Sequence, residues 1–330
     1  MMRDWREWLV RQISLAGNFD RHILDAFLQV PREIFSEFKY DPDVVYSDNV
    51  IVTAKDKDTY TTSSQPSLMA LFMSAAGLKP GMKVLEIGSG TGYNACVMAH
   101  VVGEEGLVVG VEINRKFFEK SLEAAAALSL RNVVFVNADG FFGFEKFAPY
   151  DVVLVTVAVE RISPHWIGQL KIDGRIVAPV HIYTIDRQPA FVFEKTSEGV
   201  VAKHLVETRF IKAGGSLGDL NERNLERLSR IEKMFVEPSD FLRLPSSQYE
   251  TLGVFHVASW SLCERLGWVY FVEDNAFARW KGGWETYGET KLLKAIVEEW
   301  ARTRYTSMTL LVFHYDYDMN FKGLERWDET

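Results

Sequence analysis

A glycine-rich turn after an apolar strand is the feature that most limits the folds open to this chain. Residues 84–87 read Val-Leu-Glu-Ile and run directly into Gly-Ser-Gly-Thr-Gly at 88–92, after which a helical pattern begins. Three alternating glycines are costly in chain entropy unless the backbone must approach a neighbour closely. The pattern therefore predicts a nucleotide-like cofactor at a strand-to-helix turn, and a tight turn without any ligand is the alternative.

The spacing of the glycines separates two classes of cofactor. A dinucleotide fingerprint needs a glycine where Tyr93 stands, whereas here a Glu-x-Gly-x-Gly-x-Gly pattern points to S-adenosylmethionine, with S-adenosylhomocysteine as the product. We expect the absent Cβ atoms to leave room for the methionine and ribose portions of the ligand. The predicted loop contacts are Glu86, Gly88, Ser89, Gly90, Thr91 and Gly92.

Strands and helices alternate from residue 82 onward with short connections. This favours an α/β fold with a doubly wound, mostly parallel sheet, as in class I S-adenosylmethionine-dependent methyltransferases. The predicted strands cover 83–87, 106–112, 133–137, 151–157 and 175–180. Two further extended runs, 189–194 and 202–210, flank a turn at 196–199, and we expect them to pair as an antiparallel hairpin at the end of the sheet.

Two acidic residues end predicted strands, where such a sheet binds its ligand. Glu112 lies twenty residues after Gly92 and is expected to accept hydrogen bonds from the ribose hydroxyls. A helix N-cap or a solvated strand end is its alternative. Asp139 ends the next strand and is expected to accept from the adenine amino group, with simple capping as the alternative. Ile113 and Gly140, the residues that follow them, are assigned to the same cofactor site.

The first 60 residues predict a helical cap. Trp5, Leu9 and Ile13 share one face of a first helix, and a second helix at 22–28 stops before Pro31. A polar loop is predicted at residues 60–67, followed by an apolar helix at 68–76 that Pro66 opens. A hydroxyl-rich loop at a helix start is a candidate functional element.

The last third of the chain predicts a separate unit. A charged linker helix at 216–235 leads to a small α+β domain at 236–330, after the cap (1–60) and the cofactor domain (61–215). Its predicted elements are strands at 268–273, 277–280 and 284–287, a helix at 290–303 and a last strand at 308–314. His314, Asp316 and Asp318 alternate and are expected to share one face of that last strand, so no metal site is assigned.

Charge and cysteine content narrow the partners. The 330 residues carry a net charge of -8 with scattered cations, which disfavours nucleic acid as a partner. No run reaches membrane-spanning length and the first residues lack the features of a signal peptide, so we expect a cytoplasmic protein that does not bind a membrane. Cys96 and Cys263 are far apart and form no ligand set, so both are expected to be free thiols.

The identity of the methyl acceptor follows by elimination. After strand 151–157 there is no Asn/Asp-Pro-Pro-aromatic cluster for an amine and no Pro-Cys pair for carbon methylation. A catechol-type oxygen needs a metal or a base to remove its proton, and the histidines have no ligand spacing. A carboxylate is already ionised at neutral pH and needs only alignment and exclusion of water. A carboxylate acceptor is therefore favoured.

Several motifs in a fixed order resemble the protein-L-isoaspartate O-methyltransferase family over about residues 15 to 215. They lie at 26–35 (Ala-Phe-Leu-Gln-Val-Pro-Arg-Glu-Ile-Phe), 45–48 (Val-Tyr-Ser-Asp), 62–66 (Thr-Ser-Ser-Gln-Pro), 86–92, 139–140 and 169–175. The resemblance implies that S-adenosylmethionine methylates the misplaced carboxylate of isoaspartyl residues in aged proteins and peptides. The ester then closes to a succinimide, whose hydrolysis partly restores the aspartyl linkage.

The resemblance also assigns residues to the acceptor. Ser64 takes the place of the family's active-site serine, and Thr62 supports its loop. The substrate-binding residues implied are Gln65, Pro66, Ser67, Ile211, Ala213 and Gly214. From the residues alone, the alternative for Ser64 is the N-cap of the helix that begins at Pro66. Ser67 stands where many members have histidine, and Ser63 departs from their usual Thr-Ile-Ser, which bears on substrate preference.

Two other functions stay open at this point. One is a dedicated methyltransferase that modifies aspartate in a specific precursor peptide, and the other is a non-catalytic scaffold that binds S-adenosylmethionine. RNA methylation is weaker because the chain is acidic. Residues after about 220 are similar to an extension found in some bacterial members, notably thermophilic ones, and a homodimer through this C-terminal domain is one role for it.

Overall fold

Two amphipathic helices open the described chain, as the sequence predicts. They are α1 (Met2–Ala16) and α2 (Arg21–Gln29). In α2 the side chains of Ile23, Ala26 and Phe27 are buried, which is the spacing of one helix face. The helix ends where Val30 takes an extended backbone, because Pro31 disfavours helical angles in the residue before it.

A short helix and a β-hairpin follow, and they correct one prediction. Their bounds are Pro42–Val45 for α3, Ile51–Asp56 for β1 and Thr59–Ser63 for β2. The polar loop expected at 60–67 is therefore wrong for residues 60–63. Thr61 and Ser63 are buried while Tyr60 is exposed, which is the alternation of a strand with one covered face. β1 has no counterpart among the predicted elements.

The apolar helix predicted after this segment begins at Pro66. It is α4, Pro66–Ala75, and the proline occupies its first turn, where the missing N–H costs no helical hydrogen bond. Both α1 and α2 pack on α4. The N-terminal helices thus cover α4. The segment around Ser64 at the start of α4, residues 63–67, is called the serine loop below.

The strands predicted after residue 82 form a parallel sheet in the computed structural model of the protein. They are Lys83–Ile87 (β3), Leu107–Glu112 (β4), Val133–Asn137 (β5), Tyr150–Val155 (β6) and Leu170–Pro179 (β7). Their order is β7-β6-β3-β4-β5, and every neighbouring pair is parallel. Val84, Leu85 and Ile87 are at most 1% exposed, as expected of a parallel strand covered on both faces.

Helices connect these strands in the doubly wound manner. They are α5 (Tyr93–Val102), α6 (Arg115–Ala127) and α7 (Pro164–Gln169). The first of them packs against α2 and β4, and α6 packs against β4 and β5. The strand order reverses at β3, which lies between β4 and β6. Open α/β sheets bind ligands at the carboxyl ends of strands beside such a reversal, and the glycine turn lies there.

The chain divides into two compact units, residues 1–157 with 169–177 and residues 158–168 with 178–330. The structure describes residues 2–181, 187–218, 240–242, 244, 254, 264–266, 270–273, 276–280, 284–287, 290–304 and 306–327. The predicted linker helix at 216–235 lies almost entirely outside these ranges. The four-part division of the sequence stays a prediction.

The second unit contains the predicted hairpin, Gln188–Lys195 (β8) and Val200–Thr208 (β9), which pair antiparallel. A separate antiparallel sheet follows, with the order β10-β14-β13-β12-β11. Its strands are Asp240–Leu242 (β10), Glu264–Leu266 (β11), Tyr270–Glu273 (β12), Ala276–Trp280 (β13) and Trp284–Tyr287 (β14). The last three confirm the predicted strands of this region.

The C-terminal strands correct the predicted position of the hairpin. The final elements are α8 (Lys291–Arg302), β15 (Leu311–Tyr315) and β16 (Phe321–Arg326). β15 pairs antiparallel with β9 on one side and with β16 on the other. The expectation that the hairpin ends its sheet is therefore wrong, because β15 covers the edge of β9 that would otherwise be unpaired.

The described residues hold neither a metal-binding cluster nor a helix long and apolar enough to cross a membrane. The shared strand face expected for His314, Asp316 and Asp318 is wrong, because β15 ends before the two aspartates. Asp316 lies in the turn to β16, where its Oδ1 accepts hydrogen bonds from the N–H groups of Asp318 and Asn320. The acidic pattern thus stabilises a turn.

Candidate active site

The glycine turn follows β3 at the carboxyl edge of the parallel sheet. Gly88, Gly90 and Gly92 have φ angles of +84°, +55° and +92°, in the left-handed region that side-chain-bearing residues rarely enter. Gly92 is also the N-cap of α5. All three positions therefore require glycine for the backbone shape of the turn.

The space beside these glycines is filled by protein, so the expectation that the absent Cβ atoms leave room for a ligand is wrong. A Cβ on Gly88 would lie 2.6 Å from Cγ1 of Val157, and a Cβ on Gly90 would lie 2.6 Å from Oγ1 of Thr61. Gly92 is packed in the same way. Since Thr61 belongs to β2, the glycine turn packs directly on the strand that leads into the serine loop.

Glu112 ends β4 and braces the glycine turn. Its Oε2 accepts a hydrogen bond from the N–H of Gly90, and its Oε1 accepts one from the N–H of Asn114, both at 2.8 Å. Glu112 is buried, so it is not a solvated strand end, and Asn114 is the residue that caps α6. Both alternatives for Glu112 are therefore wrong. Burial raises the pKa of the Glu112 carboxyl, and the backbone donors oppose that shift.

Glu86 lies in β3 and is 1% exposed. Its Oε1 accepts hydrogen bonds from the side-chain amide of Asn94 at 2.7 Å and from the hydroxyl of Thr156 at 3.4 Å. Burial raises the pKa of Glu86 to about 7, and these two donors oppose that shift. Within the described part of the chain, Oε2 of Glu86 and the hydroxyl of Ser89 are buried without a hydrogen-bond partner. Unpaired buried oxygens are costly, and a ligand with N–H or O–H donors would relieve that cost.

Asp139 follows β5 and caps the short 3-10 helix Gly140–Phe142. Its Oδ1 accepts a hydrogen bond from the N–H of Phe141 at 2.9 Å. Asp139 therefore has the capping role that was its alternative. Ile113, next to Glu112 at the neighbouring strand end, is 47% exposed. A large apolar side chain therefore stands open at the same edge as the acidic residues.

These residues fit an S-adenosyl cofactor by the chemistry of their groups. Such a ligand carries an ammonium group and ribose hydroxyls as donors, and a flat, weakly polar adenine ring. The site offers the unpaired oxygen of Glu86, a carboxylate at Glu112 with acceptor capacity beyond its backbone partners, and the exposed side chain of Ile113. Donor and acceptor types are therefore matched.

Ser64 lies between β2 and α4, with its side chain half-buried. The capping alternative for Ser64 is wrong, because Gln65 is the N-cap of α4. None of the described residues forms a hydrogen bond with the Ser64 hydroxyl, although its backbone carbonyl accepts one from Arg32 at 3.1 Å. Thr62, predicted to support the loop, lies inside β2 opposite Val52.

Arg32 is a site residue that the sequence reasoning missed. Its side chain is 0% exposed, and the guanidinium donates only to neutral oxygens. Nε donates to the hydroxyl of Ser63, and Nη1 donates to the carbonyls of Val45 and Ser47. The two hydrogens of Nη2 are shared among the carbonyls of Asn49, Ser63 and Ser64. Burial lowers the pKa of Arg32, while nearby Tyr93 and Asp48 oppose that shift.

Asp48 holds the other side of the serine loop. Its Oδ1 accepts a hydrogen bond from the N–H of Ser67 at 2.7 Å. Its Oδ2 accepts from the Ser67 hydroxyl at 2.6 Å and from the side-chain amide of Gln65 at 3.0 Å. A carboxylate at the start of α4 also complements the helix dipole. Asp48 thus caps α4 from outside the helix.

The predicted substrate residues after β9 belong to the second unit. The carbonyl of Ile211 accepts a hydrogen bond from the N–H of Ala158 at 2.8 Å, and the N–H of Ala213 donates to the carbonyl of Ala158 at 2.9 Å. Gly214 has an extended backbone and precedes the 3-10 helix Gly215–Leu217. Ser64 and the glycine turn belong to the first unit.

The sequence contains one indication that Arg32 and Asp48 belong to the site. Arg32 and Asp48 lie inside two of the motifs that resemble the family, whereas an isolated arginine predicts an exposed side chain. Gln169 opens another of those motifs, and its side chain braces the loop after β5. Its Oε1 accepts from the N–H of Phe144 at 2.9 Å, and its Nε2 donates to the carbonyl of Phe142 at 2.8 Å.

Fold and site together define a class of protein. The parallel sheet reverses its order at β3, a Glu-x-Gly-x-Gly-x-Gly turn follows that strand, Glu112 ends β4 and Asp139 follows β5. The protein is a class I S-adenosylmethionine-dependent methyltransferase.

Comparison with known proteins identifies the family. The model of the protein-L-isoaspartate(D-aspartate) O-methyltransferase family matches residues 5–218. A protein-L-isoaspartate O-methyltransferase from Thermotoga maritima is 39% identical over 327 residues, which cover 96% of this chain and 97% of that protein. A solved protein-L-isoaspartate O-methyltransferase structure has a TM-score of 0.83 and 38% identity, covering 97% of this chain and 99% of that one. A Plasmodium falciparum structure in complex with S-adenosyl-L-homocysteine has a TM-score of 0.54 and 20% identity over 64% of this chain and 97% of its own, which shows a shared fold.

The chain belongs to the protein-L-isoaspartate(D-aspartate) O-methyltransferase family. Its activity is methyl transfer from S-adenosylmethionine to isoaspartyl residues of proteins, the first step of their repair. The family model ends at residue 218, whereas the Thermotoga relative matches nearly the whole length. The residues after 218 are therefore an extension that this chain shares with that relative.

Proposed function

We propose that the hydroxyl of Ser64 holds the acceptor carboxylate of the isoaspartyl residue during methyl transfer. One observation carries this assignment. The side chains of Ser63, Gln65 and Ser67 all have partners within the protein, whereas the hydroxyl of Ser64 has none among the described residues. A hydroxyl donates to a carboxylate oxygen in a charge-assisted hydrogen bond, which fixes the oxygen in place.

Placement is the main task in this reaction. The acceptor carboxylate is ionised at neutral pH, so no base has to create the nucleophile. Bound S-adenosylmethionine supplies an electrophilic methyl group on its sulfonium. The residues of the chain then align one carboxylate oxygen and exclude water, which would otherwise compete with the hydroxyl of Ser64 for that oxygen.

For the cofactor we propose roles that follow from position and chemistry. Glu112 accepts hydrogen bonds from the ribose hydroxyls while it braces the glycine turn, and Asp139 accepts from the adenine amino group while it caps its helix. Ile113 and Gly140 border the adenine ring. The residues assigned to the methionine and ribose portions are Glu86, Gly88, Ser89, Gly90, Thr91 and Gly92.

The substitution Ser64→Ala tests the acceptor role. We expect the kcat for an isoaspartyl peptide to fall about 100-fold, because one donor to the acceptor is lost, and the Kd for S-adenosylhomocysteine to stay within about twofold. Ser47→Ala is the matched control, since its hydroxyl bonds only the carbonyl of Val44 and its backbone lies in the same network. Unchanged turnover in Ser64→Ala removes the proposed role.

We propose general repair of isoaspartyl proteins in preference to a dedicated client. Ser67, which departs from the family pattern, is bound to Asp48 and serves the loop itself. The catalytic role of Thr62 in supporting the serine loop stays a prediction. The substrate roles of Gln65, Pro66, Ser67, Ile211, Ala213 and Gly214 also stay predictions. A peptide made with isoaspartate and again with aspartate separates the two clients: general repair labels only the isoaspartyl form, and a dedicated aspartyl enzyme labels the aspartyl form of its precursor.

Two further statements stay predictions. A homodimer through the C-terminal residues is tested by sedimentation of the full chain beside a chain that ends at residue 218. A cytoplasmic location and the absence of nucleic-acid and membrane partners rest on sequence composition alone.

A further inference from the structure

We propose that Arg32 is a positioning residue for Ser64, and that it sets the direction of the Cα–Cβ bond that carries the serine hydroxyl by holding the two peptide groups on either side of it. The inference rests on the acceptor role proposed for Ser64. Arg32 does not reach the reacting atoms in this proposal. It acts through the backbone of the residue that does.

Arg32 holds the backbone on both sides of the Ser64 Cα atom. Nη2 of Arg32 donates to the carbonyls of Ser63 and Ser64, both at 3.1 Å. These carbonyls belong to the two peptide planes that meet at the Cα atom of Ser64. Because each plane is rigid, fixing both planes fixes φ and ψ of Ser64 and therefore the direction of its Cα–Cβ bond. Nε adds a third anchor at the Ser63 hydroxyl, at 3.0 Å.

The remaining donors of Arg32 tie this loop to a second segment, residues 45–49. Nη1 donates to the carbonyls of Val45 and Ser47, and Nη2 also donates to the carbonyl of Asn49. The same segment contains Asp48, which holds residues 65 and 67 on the far side of Ser64. The loop is therefore attached to one segment both before and after the serine, while the hydroxyl of Ser64 has no partner among the described residues.

Arginine suits this task and lysine does not. A guanidinium presents its donors in a planar fork and contacts carbonyls in several directions, whereas an ammonium offers three donors at one point. Burying a cation among neutral carbonyls carries a desolvation penalty that a well-packed apolar side chain avoids. A residue needed only to fill this volume would not have to carry that penalty, so the geometry points to positioning.

A double-mutant cycle on the full chain tests the inference. We expect Arg32→Lys, which keeps the charge, to lower kcat for an isoaspartyl peptide about 10- to 100-fold. The Kd for S-adenosylhomocysteine, measured by calorimetry, should stay within about twofold. In the Ser64→Ala background the same substitution should lower kcat less than about threefold, because a misdirected hydroxyl matters only where a hydroxyl exists.

Arg6→Lys is the matched control. Arg6 also donates to backbone carbonyls, those of Leu28 and Gln29, in the same N-terminal region, but it does not bond the serine loop. We expect Arg6→Lys to lower Tm and leave kcat within about twofold. Ser63→Ala is the milder variant if Arg32→Lys does not fold, since it removes only the acceptor of Nε, and we expect it to lower kcat about threefold.

The outcomes separate this inference from the proposed function. Effects of Arg32→Lys and Ser64→Ala that multiply in the double variant overturn the positioning role and leave the role of Ser64 intact. Unchanged kcat in Arg32→Lys or, where that variant does not fold, in Ser63→Ala also overturns it. Unchanged turnover in Ser64→Ala alone removes the acceptor role first, and the inference with it.

Discussion

The glycine turn and the serine loop lie side by side in the first unit and are stabilised in opposite ways. In the serine loop, Arg32 and Asp48 supply partners for the backbone and side chains around Ser64. At the glycine turn, Oε2 of Glu86 in β3 and the hydroxyl of Ser89 are buried with no partner among the described residues. The protein itself satisfies most hydrogen-bonding groups of the serine loop, whereas a ligand could supply donors to the unpaired oxygens at the glycine turn.

This difference indicates how the two halves of the reaction are organised. A site with unpaired buried acceptors gains stability when a ligand supplies donors, so cofactor binding should stabilise the folded protein. A loop that is already hydrogen-bonded gains little from its substrate, but it presents one hydroxyl from a fixed backbone. Substitutions in the glycine turn should therefore change cofactor affinity, and substitutions in the serine loop should change turnover.

Gly88→Ala, in the glycine turn, should reduce cofactor affinity more than the other substitutions. The new Cβ would lie 2.6 Å from Cγ1 of Val157, and φ of +84° is strained for alanine. The turn must move, so we expect the Kd for S-adenosylhomocysteine to rise on the order of 100-fold or more, which is about 2.7 kcal/mol. Calorimetric titration measures it.

Gly81→Ala is the control that separates backbone strain from packing. Its φ is +82°, nearly the same as that of Gly88, but nothing lies within 4 Å of the added Cβ. We expect a stability loss of about 1 kcal/mol and cofactor affinity within about threefold. Equal loss of affinity in both variants would show that packing on Val157 does not shape the turn.

Glu112→Gln should come next, because it removes the carboxylate from the same region. An amide side chain has one acceptor oxygen, so it cannot accept from the N–H groups of both Gly90 and Asn114, and it weakens any hydrogen bond to ribose hydroxyls. We expect the Kd for S-adenosylhomocysteine to rise about 20-fold, with kcat at saturating cofactor changed less than about threefold.

Glu119→Gln serves as its control, since that glutamate is exposed and pairs only with Arg115 on α6. Cofactor affinity should be unchanged there. If Glu112→Gln lowers kcat and spares affinity, the carboxylate serves the acceptor side and the assignment to ribose is wrong.

Asp48→Asn tests the serine loop without touching Ser64. The amide has one acceptor oxygen in place of two, so the N–H of Ser67, its hydroxyl and the amide of Gln65 cannot all keep their partners. We expect kcat/KM for an isoaspartyl peptide to fall about tenfold with cofactor affinity unchanged. Asp43→Asn, at an exposed residue nearby, should change neither quantity.

The sequence predicts the glycine turn well and the serine loop poorly, for a physical reason. β3 to β6 are predominantly apolar segments, and the turn needs glycine for local backbone angles, so both are visible within ten residues of sequence. Arg32 instead bonds groups up to residue 64, and no local pattern reveals such distant partners. Its burial contradicts the ordinary expectation for arginine.

Strand partners show the same limit. The hairpin β8–β9 is predicted because its strands are adjacent in sequence with a turn between them. Its pairing with β15 joins segments about a hundred residues apart, and period-two alternation specifies a face of a strand without specifying its neighbour. β2 is missed because its alternation is carried by threonine and serine, which are also typical of loops.

Glu86→Gln should change the pH dependence of stability by a small amount. Burial raises the pKa of Glu86 from 4.5 to about 7, so without cofactor the folded state keeps a proton that the unfolded state releases between those values. Stability of the wild-type chain therefore falls as pH rises through this window, and the glutamine variant lacks that loss. Calorimetry from pH 5 to pH 8 should show Tm of the variant rising relative to wild type by about 3 °C. Parallel Tm profiles for the two proteins would mean that the unpaired oxygen of Glu86 imposes no penalty, and the contrast between the two regions would then rest on the glycines alone.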